Sequence, residues 1–289
     1  MTDLLSKEHR ILEKGMIEFQ PFGRDPHGEK IRDVSGIAVS ANVEYLEEVV
    51  TKTKGAQAGE RVVQELVQLL NERIRDQNFH VTQNFLKNKW NSYSYEFVMF
   101  LAEFCIILSG DPRFQFNLGR EKLLSPIIQT LARPFSIPQI YRMYPYFVEK
   151  YTKGALHPEL VSVTEHTAIM RLKLSEKTIK QFGPYLKACS EIICQSTKAT
   201  ISVVPERMFG LKAATIVDHT CIAEEADYCE WEFKWEPMHY GRLRLPLTGL
   251  LASGMVFGYI YMWYPSIATV EALALSMIPL IALWIFHTK

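Results

Sequence analysis

Neither sign of charge is in excess in this chain of 289 residues, where 32 basic residues balance 32 acidic ones. A protein that tracks nucleic acid needs a positive face, and the sequence ahead of residue 240 has no basic tract, so nucleic acid is not an expected partner. A phosphate-cradling glycine loop is also missing: GAQAG (55–59) precedes a helical pattern but lacks the lysine and the serine or threonine that such a loop requires. There is no G-x-S-x-G elbow and no H-E-x-x-H, and the paired carboxylates Glu224 and Glu225 have no visible acid–base partner. Nothing in the sequence directly supports catalysis. Cysteine is scarce and odd in number, at positions 105, 189, 194, 221 and 229. The start MTDLLSKEHR is charged and has no apolar h-region, so reduced thiols in the cytoplasm are expected, not a secreted disulfide framework.

Long apolar runs are present, and all of them are late. Leu245–Tyr264 has no charge, and Ile267–Phe286 is broken only by Glu271. About 20 helical residues cross a hydrocarbon core of about 30 Å, so spans at 245–264 and 267–286 are expected, joined by a tight hairpin at Pro265–Ser266. Tyr261, Trp263 and Tyr264 cluster at that turn like an interfacial belt, and Gly254 and Gly258 would permit close helix contact. Lys234, Arg242 and Arg244 precede the first run and Lys289 follows the second, while the turn has no positive charge. The expectation is a multi-pass protein of the inner (cytoplasmic) membrane, partnered by the lipid bilayer, with the soluble part and both termini cytoplasmic.

Residues 1–35 are polar and turn-rich, and are expected to form a loosely ordered arm. Helical period takes over from Gly59, where Val62, Val63, Leu66, Val67, Leu70 and Ile74 share a face. Tyr95–Leu108 is too short to span and includes Glu96 and Glu103, so it reads as a buried helix ended by Ser109–Gly110–Asp111–Pro112. Ser136 can cap a further helix, kinked at Pro145 and closed by Gly154. Beyond Gly154 the period changes to two. Met170, Leu172 and Leu174 alternate with Arg171 and Lys173, after a partner strand at Leu160–Glu165. Pro184 opens a helix to about Ser196, and Ala199–Val204 and Ala213–Thr220 read as strands. In Tyr228–Trp235 the residues Cys229, Trp231, Phe233 and Trp235 face one way and Glu230, Glu232 and Lys234 the other. The fold class is therefore α+β: a helical part at 36–136, an antiparallel sheet domain with helices at 137–240, then the two-helix transmembrane hairpin.

Four segments carry a family resemblance: YRMYPYFVEKY (141–151), the strand ending LKL, ACSEIICQS (188–196) and DHTCIAEEADYCEWEFKW (218–235). A cysteine, seven loop residues, then a cysteine opening an aromatic strand resembles the close of the 4-vinyl-reductase-like ligand-binding domain. That superfamily also includes the haem nitric-oxide-binding domains and the small TRAPP subunits. With its N-terminal helices and two spans, the chain resembles the input regions of bacterial membrane signalling proteins, where a cyclase or kinase output follows. The resemblance implies a membrane-anchored cytoplasmic sensor for a small apolar or aromatic molecule, signalling to an output protein or within a homo-oligomer. An enzyme or accessory protein handling a tetrapyrrole or lipidic substrate, or a structural interaction module, are the rival readings. Haem is disfavoured, because Tyr93–Ser94–Tyr95–Glu96 lacks the arginine of the propionate clamp.

The candidate ligand pocket is Phe97, Phe100, Leu101 and Phe104 on one helix, Cys189 and Ile193 on another, and Trp231 and Phe233 on the last strand. Each is equally suited to plain core. His219, Cys221 and Cys229, with Cys189 or Cys194, could supply nitrogen and sulfur ligands to zinc. Their spacing is not that of a zinc ribbon or finger, so core packing is the favoured reading and no metal is expected.

Overall fold

The computed structural model describes residues 10–124, 126–132, 134–152, 154–236, 244–263 and 275–278. The chain divides into two units, Met1–Glu236 and Pro237–Lys289.

In the first unit the described part of the arm, from Arg10 on, is tied down. Ile11, Ile17, Ile31 and Val34 are buried. Two carboxylates on a later helix hold it: Glu96 accepts the backbone N–H groups of Glu18 and Phe19 and pairs with Lys14 at 2.6 Å, and Glu103 accepts that of Leu12. The polar composition that suggests a loose segment is satisfied here by buried acceptors.

Strand β1 (Val34–Ser35) leads into α1 (Gly36–Lys54), capped by Ser35, and α2 (Ala56–Glu72) turns back along it. The buried side of α2 is the expected one, with Val62, Val63, Leu66 and Leu70 inward. A short α3 (Gln83–Leu86) and β2 (Ser92–Tyr93), paired with β1, precede α4 (Tyr95–Ser109). Ser94 caps α4, and Gly110, in the left-handed region with φ 67°, ends it. Helices α5 (Phe114–Glu121), α6 (Pro126–Ala132) and α7 (Ile137–Thr152) follow, and α7 runs unbroken through Pro145.

Strands β3 (Leu156–Val163) and β4 (Thr167–Leu174) form a hairpin. Next come α8 (Glu176–Phe182), α9 (Leu186–Ser202), α10 (Val204–Phe209), β5 (Thr215–Thr220) and β6 (Cys229–Lys234). The four strands lie in the order β3-β4-β6-β5, all antiparallel. One face packs inward through Ala168, Met170, Leu172, Trp231 and Phe233. On the opposite face Arg171 pairs with Glu230 at 2.7 Å and lies over the Tyr228 ring. The mixed helix and antiparallel-sheet class is as expected. One segment differs: Ala199–Val204, β-branched enough to read as a strand, is the end of α9 and the start of α10, its apolar side chains buried on the helical side. Burial outweighs strand propensity there.

In the second unit, α11 (Arg244–Trp263) covers residues 245–263 of the first expected span, with Met255, Tyr259 and Met262 exposed. Many of its side chains, the turn at 265–266 and nearly all of 267–286 lie outside the described residues. Among the described residues no helix is long and apolar enough to cross a membrane, so the transmembrane hairpin is not supported by the structure.

Candidate functional site

Between α7 and α9, roofed by β1, the start of α1 and α6, lies a cavity of about 320 Å³, at the lower end of the range for small-molecule sites. Helix α7 contributes Ile140, Met143, Tyr144, Phe147 and Val148; α9 contributes Ser196, Thr197 and Thr200; Tyr95 enters from the first turn of α4. The hollow arises because the α9 side chains facing it are short. One turn earlier on α9 the longer Ile192 and Ile193 are buried in the core. Among the described residues, its lining contains no acid, lysine, arginine, histidine or cysteine. Such a site favours neutral, largely apolar molecules, because an unpaired ion would lose its hydration on entry.

None of the eight residues expected to line a pocket lines this cavity. Phe97, Phe100, Leu101, Phe104, Cys189, Ile193, Trp231 and Phe233 are all buried. Phe97 stacks on Tyr93 at 5.2 Å, and Phe233 packs against Tyr141. Sequence reasoning missed α7 and the hydroxyl face of α9. No local pattern in the sequence marks that pairing of helices.

The second constellation is sulfur. Cys194 of α9, Cys221 after β5 and Cys229 at the start of β6 converge, with Sγ–Sγ separations of 3.6 Å for Cys194–Cys221 and 3.7 Å for Cys221–Cys229. All three sulfurs lie within 4.8 Å of one another. Tetrahedral thiolates around zinc at about 2.3 Å would stand about 3.8 Å apart, so the three fit one face of such a site. Contacts with the Cys194 and Cys229 thiols hold the half-buried Cys221 below the usual thiol range, while contacts with Cys221 and Cys229, together with burial, push Cys194 above it.

His219 is not part of it. A β-bulge between Asp218 and Thr220 shifts the register, so that residues two apart no longer share a face. His219 therefore lies on the outer face, 3.5 Å from Glu232 and 3.9 Å from Glu230, while Cys221 turns inward. Cys189 is buried, also apart from the three sulfurs.

No family model matches the chain, and no curated protein does. Among solved structures it is similar to H-NOX proteins. The Fe(II) unliganded H-NOX protein from K. algicida is 13% identical with a TM-score of 0.43, over 72% of this chain and 99% of that one. The S. oneidensis H-NOX protein in the Fe(II)NO ligation state is 13% identical with a TM-score of 0.44, over 68% and 98%. Likenesses this distant leave the ligand of this chain to be argued from its own residues.

Proposed function

We propose that this protein is a sensory module that binds a small, uncharged, apolar or aromatic molecule in the cavity between α7 and α9 and passes the change to a partner or output domain. The single observation that carries the reading is a cavity of about 320 Å³ whose described lining has no charged side chain. A half-open hollow of this size leaves apolar wall against water, which a bound apolar molecule would cover. Native mass spectrometry of the full chain, purified without added apolar compounds and then titrated with neutral aromatics, tests it. A noncovalent adduct of one molecule per chain is expected. A chain that takes up no neutral compound would remove the reading.

The finer relation to 4-vinyl-reductase-like domains is part of the same proposal, supported by the segments at 141–151, 188–196 and 218–235. In it, the cysteine trio holds a structural zinc that clasps α9 to the β5–β6 loop, a reading supported by the sulfur separations. About one zinc per chain by elemental analysis, lost in Cys229→Ala, is expected; a zinc-free native chain would contradict it. Membrane attachment through residues 245–264 and 267–286, with cytoplasmic flanks, also belongs to this proposal. The support is the uncharged run from Leu245 to Tyr264, helical as far as Trp263 in α11, with Met255, Tyr259 and Met262 exposed. Carbonate-resistant membrane fractionation is the expected result, and release by carbonate would dismiss the anchor.

A further inference from the structure

Buried hydroxyls in this protein are, as a rule, spoken for. Tyr93 donates to the Phe85 carbonyl at 2.9 Å and Tyr141 to that of Ile201 at 3.2 Å. The same holds for much of the cavity wall. Ser196 donates to Ile192 and Ile193, Thr200 to Ser196 and Gly119, and Thr152 to Val148, all backbone carbonyls. Ser35 accepts the N–H of Ile37.

Two lining tyrosines break the rule. Tyr95 is buried, its ring edge-on to Phe182 at 5.5 Å, and Tyr144 lies midway along α7. Neither phenol hydroxyl has a hydrogen-bond partner among the described residues, and neither is sealed from space as the hydroxyl of Ser190 is. Burial raises both phenols above their usual range, so at neutral pH each keeps its proton and is a donor. The cavity is the space both residues line, and a ligand oxygen there would give each phenol a hydrogen-bond acceptor. Thr197 is the remaining uncommitted lining hydroxyl, and it serves as the control.

Resting on the reading of the cavity as a ligand site, we infer that Tyr95 and Tyr144 are its polar anchors and that the ligand is a neutral molecule with an apolar body and a hydrogen-bond acceptor such as a ketone, ether or alcohol oxygen. Among the described residues the lining has no charged side chain, which favours a neutral acceptor over a carboxylate or ammonium head. Ligand selection is then set by the acceptor, since an apolar wall alone discriminates weakly between molecules of similar shape.

The test compares three probes of one shape on the full chain: 2-acetylnaphthalene, 2-ethylnaphthalene and 2-naphthoate. Affinity is measured for the native chain, Tyr95→Phe, Tyr144→Phe, the double variant and Thr197→Val. Loss of one oxygen leaves the tyrosine ring packing intact, so these variants are expected to fold. The native chain is expected to bind the ketone about 5- to 50-fold more tightly than the hydrocarbon and to reject the naphthoate, one neutral hydrogen bond being worth about 2- to 10-fold. Each phenylalanine variant should lose part of that preference and the double variant all of it, with hydrocarbon affinity unchanged. If both neutral probes bind but the preference survives in the double variant, or disappears only in Thr197→Val, the anchors are wrong while the ligand site stands. If neither neutral probe binds the native chain, the ligand-site reading falls and the anchors fall with it.

Discussion

The space behind β6 and the space between α7 and α9 are walled by similar apolar side chains, yet one is filled and the other is hollow. Behind β6, Trp231 and Phe233 interleave with Ala168 and Met170, and Tyr141 stacks flat on Trp235 at 4.7 Å and 6°. Aromatics from a helix and a strand meet from both sides there. Across the hollow, Met143, Tyr144 and Phe147 face Ser196, Thr197 and Thr200, whose side chains are too short to reach back. Hydrophobicity marks both regions alike. What separates them is that the α9 wall of the hollow carries only short side chains.

That contrast is open to breaking by truncation. Trp231→Ala should cost about 3–5 kcal/mol in denaturant unfolding, because it empties a closed core, whereas Phe147→Ala should fall below that range. Glu232→Ala, on the outer face of the same strand, should stay within about 0.5 kcal/mol. Equal losses for Trp231→Ala and Phe147→Ala would mean that the two regions are equally well packed.

Enlargement should separate them in the opposite direction, with a smaller effect. Ala168→Leu overpacks the filled side and should cost about 1–3 kcal/mol. Ala38→Leu, on the cavity wall, has room to enter and should be close to neutral in stability. A comparable penalty at both positions would show that the hollow cannot accept added volume.

The smallest effect comes from the buried carboxylates that hold the arm against α4. Burial raises Glu96 and Glu103 above their ordinary value of 4.5, against the opposing pull of the Lys14 and backbone hydrogen bonds at Glu96 and the Leu12 N–H at Glu103. A raised acid keeps its proton in the folded state after the unfolded chain has lost it. Stability is then greatest below 4.5, falls as pH rises through the folded values, and levels off above them. Glu96→Gln with Glu103→Gln should flatten that limb in pH-dependent denaturation curves. An unchanged slope would place its source elsewhere.

The filled side was legible in the sequence because strand alternation is a strong local signal. Cys229, Trp231, Phe233 and Trp235 fall inward as the period of two requires. The hollow was not legible, because a cavity is a shortage of volume between two helices far apart in the chain. Neither the α7 pattern nor Ser196, Thr197 and Thr200 declares it alone. Two cysteines of the sulfur cluster were legible from their neighbouring loop, but the exclusion of His219 was not, since one bulge at Asp218–Thr220 reverses the face assignment. The arm misled for a related reason. Its polar backbone is satisfied by Glu96 and Glu103, residues 77 or more positions away, and no local pattern records that.

The most direct measurement of the central claim is calorimetric titration of a neutral aromatic ketone into the full chain and into Ala38→Phe, in which the new ring occupies the hollow. Saturable one-to-one binding to the native chain, abolished in Ala38→Phe while thermal stability is retained, is the predicted result. Undiminished binding to a stable Ala38→Phe, or no binding to the native chain, would contradict the account.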